Sequence, residues 1–177
     1  NRTHKIYSPN YPVTVEKSDD VGLMTNNTGE FWTRRPLKEN STYTIKYIPQ
    51  SFSNPQFLAA INSGFENAIT DPSQTERYLQ LPDNLPQRVV ELAEDITKDY
   101  DTSYEKLLAI MTYLRQFPYT LEPDIVPEDR DFVDYFLFDG KEGYCVYYAT
   151  AMVVMSRAIG IPARYVEGFT MPQQRNE

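Results

Sequence analysis

One thiol is the candidate for covalent chemistry in this chain. Cys145 is the only cysteine among 177 residues, and it opens a strongly apolar run from Val146 to Met155. The run reads as a helix, bounded behind by Asp139, Gly140 and Gly143 and ended by Gly160 as a left-handed cap, with Pro162 just beyond. Cys145 therefore stands at the positive end, where unshared backbone N–H groups and the macrodipole favour negative charge, the form in which a sulfur attacks. A packed, inert small hydrophobe is the other reading of a free cysteine. Gly143 tips the balance, because a residue without a side chain lets another backbone, such as a bound peptide, approach beside the sulfur. The backbone N–H of Cys145 is then the expected donor to an oxyanion.

The other titratable groups point to less chemistry. Glu122, Asp124, Glu128, Asp129, Asp131 and Asp134 fall in one irregular segment. They lack the alternating aspartates and glycine of a calcium loop and read as a solvated acidic loop bordering a cleft, so no metal and no cofactor are expected. Arg157 and Arg164 have the chemistry to hold a substrate carboxylate, but structural ion pairs with nearby acidic residues are the expected use. His4, the only histidine, is expected to be an exposed terminal residue.

Gly143-Tyr144-Cys145, Tyr148-Ala149, Arg157, Gly160-Ile161-Pro162-Ala163-Arg164 and Val166-x-Gly168-Phe169 together resemble the cysteine motif of the transglutaminase-like superfamily, a relative of the papain-like fold. With Asp134-Tyr135-Phe136-Leu137-Phe138 ahead of it, the run looks most like the bacterial, membrane-anchored branch, whose transglutaminase-like region lies outside the membrane. The resemblance runs from Tyr78 onward. It implies that Cys145 attacks the carboxamide of a protein or peptide substrate, forms a thioester and passes the acyl group to an amine or to water. Gly143, Tyr144 and Tyr119 are the expected cleft residues; an oxyanion role for the Tyr119 hydroxyl is the alternative to the Cys145 N–H, which is the preferred donor. A cysteine peptidase or amidase, and a noncatalytic binding module, remain alternatives. The family completes its site with a histidine and an aspartate on later strands, and no histidine follows Cys145 here. The expectation is a fragment of a longer protein, nearly inactive by itself.

The architecture expected around the cysteine is α+β: a small N-terminal β region over residues 1–77, with a connecting helical segment, then the helical half of a papain-like core over residues 78–177 with an incomplete C-terminal sheet. Tyr11, Val13 and Val15 alternate with their neighbours, as do Tyr43, Ile45 and Tyr47, and Phe31-Trp32-Thr33 is a short strand after a turn at Asn26-Asn27-Thr28-Gly29. Trp32 is assigned to the core. Pro55 opens a helix interrupted at Ser63-Gly64, and Asp71-Pro72-Ser73 is a second break. After Pro86, Val89, Leu92, Ala93 and Ile96 form one helical stripe. Thr102 and Glu105 have capping-box spacing ahead of a second stripe of Leu107, Leu108, Met111 and Leu114. Both helices are expected to flank the Cys145 helix, which is apolar nearly all round and so buried on most sides. Arg164 to Phe169 reads as the first strand after it, paired with another segment or chain.

A formal charge of −8 argues against a nucleic-acid partner. No apolar stretch approaches the roughly 20 residues that cross a bilayer, so any membrane contact is expected only through segments outside this chain. A soluble extracytoplasmic domain is the expected setting, and the oligomeric state is not readable.

Overall fold

The structure, a computed structural model, describes residues 3–8, 12–17, 22–26, 30–47, 54–68 and 75–168. Tyr11, the turn residues Asn27, Thr28 and Gly29, the break at Asp71-Pro72-Ser73, and Phe169 lie outside the described residues. Strands and helices are both present, as the α+β reading requires, and the chain divides into two compact units, Asn1–Phe57 and Leu58–Glu177. The division falls twenty residues before the expected boundary at 77/78. Residues 75–80 belong with the helices because Ala163 N–H donates to Tyr78 C=O at 3.0 Å and Arg157 Nη1 donates to Gln80 C=O at 2.7 Å.

Among the described residues the first unit holds five strands. β1 (Lys5–Ile6), β4 (Phe31–Thr33) and β3 (Leu23–Thr25) form an antiparallel sheet in that order, and β2 (Pro12–Lys17) pairs antiparallel with β5 (Tyr43–Tyr47). Asn26 closes the β3–β4 connection, its side-chain oxygen accepting Glu30 N–H at 3.0 Å. Ile6 and Leu37 make a small core with Val15, Phe31, Tyr43 and Ile45 packed on it. Phe31 faces that core, so its neighbour Trp32 points to the opposite face. Trp32 is therefore half-buried and outside the cluster, contrary to its assignment to the core.

Helix α1 (Pro55–Ala68) starts where the Asn54 side chain accepts Gln56 N–H at 2.9 Å. It runs through Ser63 and Gly64 without the expected break, since an interior glycine costs only about 1 kcal/mol.

The second unit is built from α2 (Gln87–Thr97), α3 (Ser103–Leu114), α4 (Phe132–Tyr135) and α5 (Cys145–Ala158), with α4 continuing into a π-helical turn, Phe136–Gly140. In α2, Val89 and Ala93 are fully buried, with Leu92 and Ile96 packed beside them. The capping box forms: Thr102 Oγ1 accepts Glu105 N–H, and Glu105 Oε2 accepts Thr102 N–H. The buried stripe of α3 differs from the expected one. Ile110 and Leu114 are its fully buried residues, while Leu108 and Met111 are 37% and 36% exposed, and Leu108 lines an open groove of about 450 Å³ with Ile96, Tyr100 and Tyr113. The helix is rotated toward its β-branched residue, and periodicity alone cannot rank Ile, Leu and Met. Both α2 and α3 pack on α5, as expected. However, only Tyr147, Ala151, Met155 and Ser156 of α5 are fully buried. The other residues of α5 apart from the exposed Cys145 are half-buried, so burial is deepest along one stripe and partial round the rest of the helix.

The acidic segment is not uniformly solvated. Asp131 caps α4, accepting the N–H groups of Val133 and Asp134 at 2.9 Å each. Asp134 itself is buried and gripped by Arg88 through both carboxylate oxygens, and by Arg130 Nη2 at 3.0 Å. Arg130 also bonds Asp139 at 2.6 Å, and the Arg88 guanidinium lies 4.3 Å from the centre of the Phe138 ring. This cluster ties the π-helical turn to α2.

Among the described residues no strand follows α5. Residues 164–168 have no regular structure and are exposed, and Phe169 lies outside the described residues. The expected pairing of Arg164 to Phe169 is absent among the described residues, and the segment is held instead through Ala163 and Tyr78.

The hydrogen bond from Arg88, aided by Arg130, holds the Asp134 carboxyl below the usual carboxylate range against the opposing effect of burial. A depressed folded value stabilises the fold above the unfolded value near 4, and that contribution disappears as pH falls through the folded value. Asp134→Asn is therefore expected to lower stability at pH 7 by about 2 kcal/mol, less than a fully buried pair because both arginines reach solvent. Urea midpoints measured from pH 7 downward check this: the gap between variant and parent should hold to about pH 4 and close below it.

Candidate active site

Cys145 is the first residue of α5, and it is exposed. Tyr144, the residue before it, is extended (φ −121°, ψ −174°) and offers no side-chain cap. Among the described residues the N–H groups of Cys145 and Val146 therefore meet no acceptor, and the first bond of the helix is Tyr147 N–H to Tyr144 C=O at 2.8 Å. Unshared donors at the start of a buried helix attract an anion. The far end of α5 is closed by a Schellman motif: Gly160 has φ +79°, its N–H donates to Arg157 C=O at 3.0 Å, and Ile161 N–H donates to Ser156 C=O at 2.9 Å.

Gly143 is needed for a different reason from the one expected. It is buried, and a Cβ built on it would stand 2.6 Å from Tyr147 Cγ and 2.8 Å from Tyr147 Cβ. The space belongs to the chain's own Tyr147 ring, so no bound peptide occupies it. Its backbone is also committed. Gly143 N–H donates to Pro118 C=O at 3.3 Å, and Gly143 C=O accepts Thr120 N–H at 2.9 Å, an isolated parallel bridge that sets Tyr119 beside the entry to α5.

Tyr119 and Tyr148 form a pair there. Their rings are stacked at 6.2 Å and 19°, and the Tyr148 hydroxyl shares its one proton between Phe117 C=O (2.9 Å) and Pro118 C=O (2.8 Å). Burial pushes the Tyr148 phenol up, with Tyr119 and Glu142 acting in the same direction. Tyr144 is half-buried, its ring edge-on to Tyr147 at 5.1 Å. The structure thus brings Gly143, Tyr144 and Tyr119 together around the start of α5.

Tyr165 also belongs here and was not singled out as a site residue. Desolvation raises its phenol first, then its hydrogen bond to Glu167 (3.1 Å), then the electrostatic influence of Glu167 and, behind it, of Cys145 and Tyr144. Its proximity to Cys145 depends on the course of the chain after Gly160, for which the sequence carries no local signal.

The remaining candidates stand elsewhere. Among the described residues Arg157 pairs with no carboxylate: its Nε and Nη2 donate to Ala163 C=O at 2.9 and 2.7 Å, and its Nη1 to Gln80 C=O. Arginine offers five donors in a fixed fork, and here backbone carbonyls accept from three of them. Arg164 is exposed and forms no ion pair among the described residues. His4 is exposed in the first unit, with Nδ1 2.9 Å from Thr33 C=O.

Gly143→Ala is expected to destabilise the protein by about 1–3 kcal/mol, because the added methyl meets the root of the Tyr147 ring and cannot be avoided by a simple rotation. Denaturant unfolding measures the loss. Tyr148→Phe, which keeps the ring and removes one hydroxyl, is expected to cost only about 1 kcal/mol in the same assay.

Residues 90–177 match the family model of the transglutaminase-like superfamily. Over 90% of its length the chain is 48% identical to the protein YebA of Bacillus subtilis (strain 168), covering 23% of that protein. It is 29% identical, again over 90% of its length, to a protein-glutamine gamma-glutamyltransferase of Pseudomonas aeruginosa, covering 22% of it. The chain thus spans less than a quarter of the length of these curated relatives. Among solved structures, the periplasmic domain of TgpA from Pseudomonas aeruginosa aligns with a TM-score of 0.61 and 24% identity over 89% of this chain and 52% of that one. The same domain bound to ethylmercury aligns with the same score, over 54% of its chain. With the fold, the motif and the family model in agreement, residues 90–177 belong to the transglutaminase-like superfamily.

Proposed function

We propose that the second unit takes a protein or peptide carboxamide at the start of α5 and transfers its acyl group through Cys145. The sulfur electron pair forms a C–S bond to the carboxamide carbon. The C–N bond breaks, and the amine leaves carrying a proton, which gives a thioester. An amine or a water then adds to the thioester carbonyl, the C–S bond breaks, and the thiol regains its proton. What carries this reading is the exposure of Cys145 beside two N–H groups without acceptors among the described residues. Those donors, on Cys145 and Val146, are placed to stabilise the oxyanion of each tetrahedral intermediate. The likeness to a protein-glutamine gamma-glutamyltransferase supports a carboxamide substrate.

A positioned base accelerates such steps by about 10²–10⁴-fold. No histidine follows Cys145, so the reading assigns the base to a group outside these residues and expects slow turnover from the chain by itself. The likeness to a periplasmic domain supports an extracytoplasmic setting. Among the described residues no helix is long and apolar enough to cross a membrane, and membrane attachment is assigned to segments outside this chain. The excess of acidic side chains fits a protein or peptide partner better than nucleic acid.

Alkylation tests the assignment. Iodoacetamide at about pH 6 is expected to modify Cys145 at least tenfold faster than free cysteine, as an activated thiol does. A thiol no faster than free cysteine would leave only the fold in common with the family. Cys145→Ala should remove all labelling and, being a substitution at an exposed position, change stability by less than about 0.5 kcal/mol. In a longer protein that includes the base, incubation with a glutamine peptide and a labelled amine separates the two acceptors: incorporation of label marks transfer, and ammonia release alone marks hydrolysis.

A further inference from the structure

The bridge beside Cys145 has an unused side. In a parallel pairing, a residue that bonds to positions i−1 and i+1 of its neighbour leaves the two main-chain groups of residue i directed away from it. Gly143 bonds to Pro118 and Thr120 in this way, so Tyr119 turns its N–H and C=O outward. Among the described residues neither group has a protein partner, and Tyr119 is 64% exposed. The edge is also firmly backed. Gly143 holds it by two backbone bonds, and Tyr148 holds it from α5 through its hydroxyl and its ring. An unpaired donor and acceptor on a fixed strip are the elements that recruit an extended chain by strand addition.

We propose that the outward edge of Tyr119 binds the main chain of an extended peptide segment whose carboxamide is delivered to Cys145. Resting on the acyl-transfer reading, this narrows the substrate to a carboxamide in an unstructured or β-extended stretch of protein. A helical segment keeps its own N–H and C=O groups paired and offers nothing to this edge. Free amino acids have no neighbouring residues to pair with it. Tyr119 acts here through its backbone, and Tyr148 is the positioning residue that keeps the edge in place.

The test uses the full chain and irreversible labelling, which needs no general base. Short peptides carry a chloroacetamide in place of the reactive carboxamide; the Cys145 sulfur displaces chloride, one C–S bond forming as one C–Cl bond breaks. A set of isomers carries one backbone N-methyl group each, at successive positions around the electrophile. Mass spectrometry gives the labelling rates, with chloroacetamide itself as the reference reagent. The parent peptide is expected to label Cys145 about tenfold faster than chloroacetamide. N-methylation at one flanking position should slow it about fivefold, with little effect at the next position, whose N–H points the other way along an extended chain. Tyr148→Phe should reduce the preference for the parent peptide over chloroacetamide. Equal rates for all isomers, or a parent peptide no faster than chloroacetamide, would overturn edge pairing while leaving the reactivity of Cys145 intact. If chloroacetamide and iodoacetamide both modify Cys145 no faster than free cysteine, the acyl-transfer reading fails and the edge proposal fails with it.

Discussion

The absence of a side chain at Gly143 fixes the geometry around Cys145. The helix that carries the sulfur begins two residues later, and its third residue, Tyr147, fills the space a Cβ would need. Tyr147 cannot retreat, because its ring is packed against Phe132 at 4.6 Å and Phe136 at 5.6 Å inside the core. Tyr147 and Gly143 therefore determine each other, and the rotation of α5 about its axis follows from their contact. That rotation places Cys145 toward solvent and Tyr148 toward the 117–120 strip.

The approach to Gly143 is made of conformations that a chain does not adopt unaided. The helix after Asp131 widens into a π turn, closed by Lys141 N–H to Phe136 C=O at 3.0 Å, and Lys141 takes a left-handed conformation at φ +53°. For a residue with a Cβ that conformation costs roughly 1–2 kcal/mol. Opposing forces come from both ends of the turn. Phe136 and Leu137 are fully buried, and Asp134 and Asp139, one turn apart, are joined through Arg88 and Arg130. The ion cluster thus acts on the loop that leads into the site even though none of its members touches the sulfur. Its charges are spread over three segments, so unwinding the π turn would separate several pairs at once.

What the sequence disclosed was local. Thr102 and Glu105 cap each other three residues apart, Pro86 stands next to the first turn of α2, and Gly160 follows the last turn of α5; each signal lies within one turn of the element it bounds. The cysteine motif was legible for the same reason, since its parts lie in one helix and its caps. The rest depended on distant partners. Arg88 and Asp134 are 46 residues apart, and the Arg157 fork reaches 77 residues back to Gln80. Nothing near either arginine distinguishes a carboxylate partner from a carbonyl. Gly143 was recognised as special but for the wrong reason, because a glycine signals close approach without naming what approaches. Ile110 was passed over for Leu108 and Met111, whose neighbours along α3 form an equally regular stripe. Only the packing of α2 and α5 decides which stripe is covered.

A side chain that is both open to solvent and held still meets two demands that ordinarily select different places: loops are open, and core helices are fixed. The terminus of a core helix meets both when the chain at each end is tied to something else. At the N-terminal end the tie is Gly143 on the 118–120 strip; at the C-terminal end it is Ala163 on Tyr78, reinforced by Arg157. Both ties use backbone groups, which a side-chain substitution on the strip itself would leave in place. The aromatic side chains around the sulfur can therefore vary more freely than the glycine and the arginine beneath them. Tyr119 and Tyr165 present exposed surface, while Gly143 is buried against Tyr147 and the half-buried Arg157 is bonded to backbone carbonyls. On this arrangement the fold specifies where the sulfur stands, and the exposed tyrosines form surface that the fold does not constrain.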